Sequence, residues 1–320
     1  MSRAVSPVSQ NAPPTPNRRR MLWAAITGSG LLTGVYWTFP PIFAEAERYD
    51  SAMHATSVLP ANELARTASI DSSTLPDIPI TPSIAAHRRS ILLLEEGVRK
   101  LQGVSGYTAR FSKKEVVGGT LTESQTMRLK LRHAPFSVYM KWIEGKPGQE
   151  ALYVDGEHDG EMIVRPGGLK GRILGAIKLN PTGTMAMGES RHPITQVGLL
   201  RLSQKILDSR YNESSWTSGY RCFEEAAEVD GRPCCCFTIV YDSPERRADY
   251  RKSVIWIDQE QLVVTKIENY GWPGEENIPP ARLDAETLIE AYSYTSIDFD
   301  TQLAAIDFNT ANDAYGLRRR

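Results

Sequence analysis

The sequence predicts an α+β domain built on an antiparallel sheet with two or so helices. Three observations predict it. The stretch Arg132–Gly156, RHAPFSVYMKWIEGKPGQEALYVDG, alternates Phe136, Val138, Met140 and Trp142 against Ser137, Tyr139, Lys141 and Ile143. That is strand periodicity with one strongly apolar face. Two helical patterns each precede a run of strands, the order of an α+β fold with antiparallel meanders. Asp230-Gly231 sits between two strand-like runs, a strong two-residue hairpin signal.

The first helix is predicted from Ile84 to Leu101. Ile91, Leu94, Val98 and Leu101 recur at helical spacing, Ser83 is the expected N-cap, and Gly103 and Gly106 end the pattern. Tyr107, Ala109 and Phe111 then alternate with polar residues, and Gly118-Gly119 marks a hairpin. Met127, Leu129 and Leu131 alternate with Arg128, Lys130 and Arg132, a strand with a cationic outer side. Glu144 to Gly148 supplies turn residues, Glu150–Val154 a further strand, and Glu161–Arg165 a short one. Residues 169–192 are irregular and glycine-rich. Pro193 is expected to open a second helix carrying Val197, Leu200, Gln204, Leu207 and Tyr211. Strands resume at Tyr220–Glu228, Cys234–Tyr241, Arg251–Ile257 and Leu262–Tyr270. Glu286–Phe299 is read as one long last strand, with Leu288, Tyr292 and Tyr294 on one face and Ile289, Ala291, Ile297 and Phe299 on the other.

Composition narrows the class. Of 320 residues, 41% are hydrophobic and 23% charged, ordinary globular values. Residues 1–46 hold four arginines and one glutamate, so the remaining 33 basic and 37 acidic residues give the rest a net charge of −4. A nucleic-acid partner has no support in that balance.

The domain plan is a signal or anchor at 1–46, a disordered linker at 47–82, one folded domain at 83–315 and a tail at 316–320. Arg18-Arg19-Arg20 precedes an apolar run, Met21–Phe39, and then Ala44-Glu45-Ala46. This order fits a cleaved export signal and equally an uncleaved membrane anchor through residues 21–39. Both readings export the large domain across the inner membrane, leaving it periplasmic or anchored outside the cytoplasm.

Chemistry is sparse. No nucleotide-binding glycine pattern, nucleophile elbow or H-E-x-x-H motif occurs, so no cofactor, metal or catalytic residue is expected. Asp155, Glu157, His158, Asp159 and Glu161 are read as a solvated turn. In the Asp230-Gly231 hairpin, residue i should face 461 − i. Cys222 then faces Ile239 and Cys236 faces Glu225, so no two of Cys222, Cys234, Cys235 and Cys236 oppose each other. Ser190-Arg191-His192 leads from the glycine-rich loop toward the second helix. It suits either an anion contact or local capping.

Several blocks resemble an uncharacterised bacterial family, domain of unknown function 1571. They are Tyr107–Glu115 (YTARFSKKE), Gly118-Gly119, Leu129–Arg132, Pro135–Trp142, Gly148–Glu150, Ser190–Thr195 and Asp307–Asn309. The family is distantly similar to periplasmic lipoprotein carriers, curved half-barrels with an apolar cavity for acyl chains. The resemblance implies that fold, a strongly curved antiparallel sheet forming an incomplete β-barrel closed by two or so helices, and hints at lipid or lipoprotein handling. It implies no assigned activity, and a non-enzymatic protein is expected. The expected ligand face is Phe136, Val138, Met140 and Trp142. Its expected lid is Leu174, Ile177, Met185 and Met187, with Arg191 and His192 beside it. Core packing is the alternative reading of the face, and an envelope scaffold without a small ligand is the alternative function.

Overall fold

The computed structural model describes residues 81–216, 218–274 and 277–318. The segment read as a signal or anchor, and residues 47–80 of the linker, lie outside them. No described helix is long and apolar enough to cross a membrane.

Twelve strands form one antiparallel sheet: β1 (Gly106–Val117), β2 (Thr120–Leu121), β3 (Gln125–Arg132), β4 (Ser137–Glu144), β5 (Glu150–Val154), β6 (Met162–Arg165), β7 (Ile177–Leu179), β8 (Tyr220–Val229), β9 (Arg232–Tyr241), β10 (Lys252–Asp258), β11 (Val264–Tyr270) and β12 (Leu288–Asp298). Their spatial order is β7-β6-β5-β4-β3-β1-β12-β11-β10-β9-β8, with β2 paired to β1. The edges at β7 and β8 do not meet, so the barrel is open. The last strand joins the two meanders by pairing with β1 on one side and β11 on the other.

The helices are α1 (Pro82–Gln102), α2 (Gly168–Leu174), α3 (Thr184–Met187), α4 (Leu199–Ser214) and α5 (Pro280–Thr287). The cap of α1 is Thr81, whose Oγ1 accepts the Ile84 N–H at 3.3 Å, with Pro82 in the first turn. Ser83, the expected cap, instead accepts the N–H of Cys222 at 2.8 Å and ties the helix to β8. Helices α1 and α4 run antiparallel. His87 near the start of α1 meets Glu213 near the end of α4, while Leu101 and Leu199 share one cluster.

These helices define the inner face of the sheet. Over β8–β11 they bury Cys222, Phe237, Ile239, Tyr241, Ile255 and Ile267 against Ala86, Leu94, Ile206 and Leu207. Over β1, β3–β6 and β12 the inner face buries Tyr107, Phe111, Leu129, Val138, Met140 and Tyr294. The outer face of β4–β6 is covered by the C-terminal segment. Tyr315 stacks on Tyr139 with centroids 3.8 Å apart, and the Gly316 N–H donates to Glu150 Oε2 at 2.7 Å. Leu317 is fully buried, so packing continues into the stretch read as a tail.

Three expectations are corrected. Pro193 does not open the second helix. A single 3-10 turn, Ile194–Gln196, follows it, and α4 starts only after Gly198. Gly198 has φ +123°, and a Cβ there would lie 2.6 Å from Leu131 Cδ1, so only glycine fits the junction. The last strand is shorter than read, because Pro280–Thr287 is helical. Its faces also change: Leu288 packs with Cys236 and Tyr270 on the outer face, whereas Tyr292, Tyr294, Ile297 and Phe299 pack inward. Register shifts at Asn269/Tyr270 and Thr108/Arg110 cause this, the second beside Ser296 at φ +49°.

The β8–β9 register is the one expected: Cys222 pairs with Ile239, and Glu225 with Cys236. All four cysteines are buried free thiols.

Candidate functional site

The inner face changes character along β1. Tyr107, Ala109 and Phe111 are followed on the same side by Lys113 and Glu115, both buried. Across β12 the same change runs from Tyr294 to Tyr292 to Glu290, because Phe111 pairs with Tyr294, Lys113 with Tyr292 and Glu115 with Glu290. An apolar floor therefore ends in a buried ionic row.

The segment 166–198, which we call the cover, extends the sheet by its edge strand β7 and packs residues of its second half on this floor. It contains α2, β7, α3 and the 3-10 turn, joined by turns. Ala186 and Ile194 are buried in the inner cluster, with Leu179 and Val197 packed against it. Its C-terminal part is pinned by polar contacts. Lys113 Nζ donates to Glu115 Oε2 at 2.7 Å and to Ser190 Oγ at 2.8 Å. The Arg191 N–H donates to Glu115 Oε2 at 3.3 Å, and the Tyr292 hydroxyl to Glu115 Oε1 at 2.6 Å. His192 Nε2 lies 2.8 Å, and Arg191 Nε 3.1 Å, from Glu290 Oε2. Tyr250 and Asn269 donate to Glu290 Oε1 at 2.8 and 2.7 Å. Burial raises the Glu290 pKa, but hydrogen bonding and charge from His192, with Asn269, hold the carboxyl well below its usual range. Burial pushes the Tyr292 hydroxyl up, with both carboxylates adding to it.

At the junction with α4 two tyrosine hydroxyls hold the backbone. Tyr107 accepts the Leu199 N–H at 2.8 Å and Tyr294 the Gly198 N–H at 3.3 Å, satisfying first-turn amides that lack helical partners.

The predicted site residues divide into three groups. Phe136, Val138, Met140 and Trp142 come together on the inner floor, each at most 8% exposed. Phe136 lies under the Arg201 guanidinium, 3.9 Å from its ring centre, and Trp142 Nε1 donates to Gln125 at 2.8 Å. Ile177 and Met187 are half-buried in the cover. Leu174 and Met185 are not brought to the floor; they are 60% and 67% exposed. Arg191 and His192 are the pins just described. Their carboxylate partners escape sequence patterns, because a carboxylate at the next inward position of a strand gives no local signal.

Two open clefts occur elsewhere, of about 160 Å³ beside Asp230 and Tyr294 and about 190 Å³ beside Arg89 and Cys235. Neither is lined by the four floor residues. Around the acidic turn, Lys178 lies 2.7 Å from Asp159 and 3.7 Å from Glu161, and no group of three metal-ligating side chains occurs among the described residues.

A second buried ionic cluster joins the two long helices to β9. Glu213 accepts from Arg210 at 2.8 and 3.1 Å, from Ser209 at 3.0 Å and from Tyr241, and lies 3.3 Å from His87 Nε2. Burial raises its pKa, but Arg210 and these hydrogen bonds bring it down to about 2.

No curated protein matches the chain. Solved structures similar to it include a DUF1329 family protein from Desulfovibrio piger (10% identity, TM-score 0.31, 70% of this chain and 97% of that one). A putative outer membrane lipoprotein-sorting protein domain from Vibrio parahaemolyticus is similar at 13% identity and TM-score 0.31, over 70% and 97%. Mycobacterium tuberculosis lipoprotein LppX is similar at 11% identity and TM-score 0.39, over 68% and 99%. At these scores the likeness carries no functional inference. A family model matches residues 104–317, about two thirds of the chain, and the chain belongs to the family described as protein of unknown function (DUF1571).

Proposed function

We propose that the exported domain binds an acyl chain, of a lipid or lipoprotein, against the inner floor formed by Phe136, Val138, Met140 and Trp142. One observation carries this reading. An apolar floor is closed by a segment of short elements, pinned through Ser190, Arg191 and His192 to charged partners on the sheet. The part of the cover after β7, held by a few polar pins, can be released with the sheet intact, and its release exposes an apolar, concave surface of the kind that takes acyl ligands. Binding needs no covalent chemistry, and the domain acts as a carrier or binding module.

The test is thermal unfolding of delipidated full-length protein with a long-chain fatty acid or a lipopeptide. A ligand at a hundredfold excess over its Kd adds about 2.7 kcal/mol. For a domain of this size that raises Tm by roughly 5 °C or more. An unchanged Tm with both ligands contradicts the proposal.

The tight packing of the floor favours a second reading, an envelope scaffold with no small ligand. Its mark is that unchanged Tm together with a stable protein partner recovered on the full-length chain.

A further inference from the structure

The outward side of the cover does something the inward side does not explain. Amphipathic elements of a folded domain normally turn their apolar stripe inward. In α2 the polarity is reversed. Gly171 is the buried residue of the helix, and a Cβ there would fall 1.9 Å from the Pro166 carbonyl oxygen and 3.5 Å from Arg165 Cγ, so this position faces the chain that enters the helix from β6. At about 100° per residue, Leu169 and Ile173 lie roughly opposite it, and Lys170 and Arg172 fall on the two flanks. Leu169 is 69%, Ile173 74% and Leu174 60% exposed, and Met185 of α3 is 67% exposed. Half of the eight large apolar side chains exposed among the described residues thus fall within 17 residues of one segment. Clustered exposure of this kind marks an interaction surface rather than scattered apolar residues.

Charge indicates the partner. Lys170 and Arg172 are exposed and form no ion pair among the described residues. Lys146 sits close by: burial, then repulsion from Lys113 and Lys170, push its amine below the ordinary value. Glu189 is the acidic neighbour, paired with Lys146. An apolar ridge with basic residues on both flanks matches an interface of acyl chains beneath anionic headgroups. The sequence adds a second pointer to a bilayer, the apolar run Met21–Phe39 behind Arg18-Arg19-Arg20.

We infer that the exposed face of α2, Leu169 and Ile173 flanked by Lys170 and Arg172 with Leu174 at the helix end, docks on the surface of an anionic lipid bilayer. The inference does not require the inner floor to hold a ligand. Where both hold, docking brings the cover to the membrane from which an acyl chain would come.

Segment-resolved amide hydrogen exchange on the full-length chain tests it, since an anchor at 21–39 cannot by itself protect residues 168–187. The chain is mixed with vesicles of pure phosphatidylcholine, or of phosphatidylcholine with one third phosphatidylglycerol. Peptides covering 168–187 should slow at least fivefold with the anionic vesicles only. The doubly substituted I173D/L174D and K170E/R172E chains should each lose that protection. Both alter exposed side chains, and unchanged exchange in α4 verifies their folding. Equal exchange with and without anionic vesicles overturns the inference, as does equal protection by both vesicle types or protection that survives K170E/R172E. Protection that rises with protein concentration in the absence of vesicles assigns the ridge to a second copy of the chain and also overturns it. The fatty-acid Tm shift of these variants separates the two proposals: it stays at the wild-type value if only docking is lost.

Discussion

The two halves of the inner face are covered differently. Over β8–β11 lie two long antiparallel helices, and the residues between them and the sheet, such as Phe237, Ile239 and Ile255, are fully buried. Over β3–β6 lies the cover, whose longest helix has seven residues. Both halves contain one buried carboxylate cluster. Glu213 links regular elements that cannot part without unfolding the domain. Glu290 and Glu115 link the sheet to a segment of short elements, of which Ala186 and Ile194 are the residues buried in the inner cluster. Segments of that kind open at lower free energy than the core. On the proposed reading, the same chemistry is structural glue in one half and a latch in the other.

The largest effect is expected from Glu213→Gln. It leaves Arg210 buried beside a neutral side chain, and removing one member of a buried ion pair costs about 3–5 kcal/mol. Urea unfolding should register that as global destabilisation, with no segment opening separately. Glu290→Gln removes an equally buried carboxylate. Tyr250 and Asn269 also lose a charged acceptor, but Arg191 and His192 are 33% and 19% exposed and reach water when the cover opens, so a smaller loss of about 1–3 kcal/mol is expected. Exchange in 184–198 should rise more than in α1 or α4. Equal global losses in the two variants, with no selective rise, would erase the distinction between the halves.

Acid gives a third effect. The folded-state pKa of Glu213 lies below its unfolded value, so its contribution is complete above the ordinary carboxylate range, near pH 4.3. It is lost as pH falls toward about 2. The stability gap between wild type and Glu213→Gln should therefore shrink between about pH 5 and pH 2, measured by urea midpoints. The smallest effect belongs to Ile173→Asp. The side chain is exposed, so stability should change by no more than about 0.5 kcal/mol. A larger loss would mean that the ridge of α2 packs on the domain.

Much of the fold was legible because it rests on local rules. The alternation of Met127–Leu131 and Val138–Trp142 set which side turned inward, and Asp230-Gly231 set every pairing of β8 with β9. What escaped depends on long-range contact. Lys113 and Glu115 continue the inward series of β1, and only the pairing with β12 shows that Tyr292 and Glu290 receive them. Glu213 and Arg210 hold inward positions of α4, where apolar spacing alone pointed to Leu207 and Tyr211. Ile297 changes face because a bulge adds a residue, and a two-residue period cannot register it. The outward turn of Leu169 and Ile173 is the exception: it accompanies a local fit, Gly171 on the Pro166 carbonyl, that apolar periodicity does not register. The floor was thus readable from the sequence, and its latch was not.

The separable cover is tested most directly by native-state hydrogen exchange of the full-length chain across a urea series below the unfolding transition. Amides in 184–198 should exchange through an opening of lower free energy, and weaker urea dependence, than those of α4. A fatty acid should change protection in 184–198 before it changes α4. If 184–198 and α4 exchange with one common free energy and one common urea slope, the cover is part of the core and no carrier mechanism can use it.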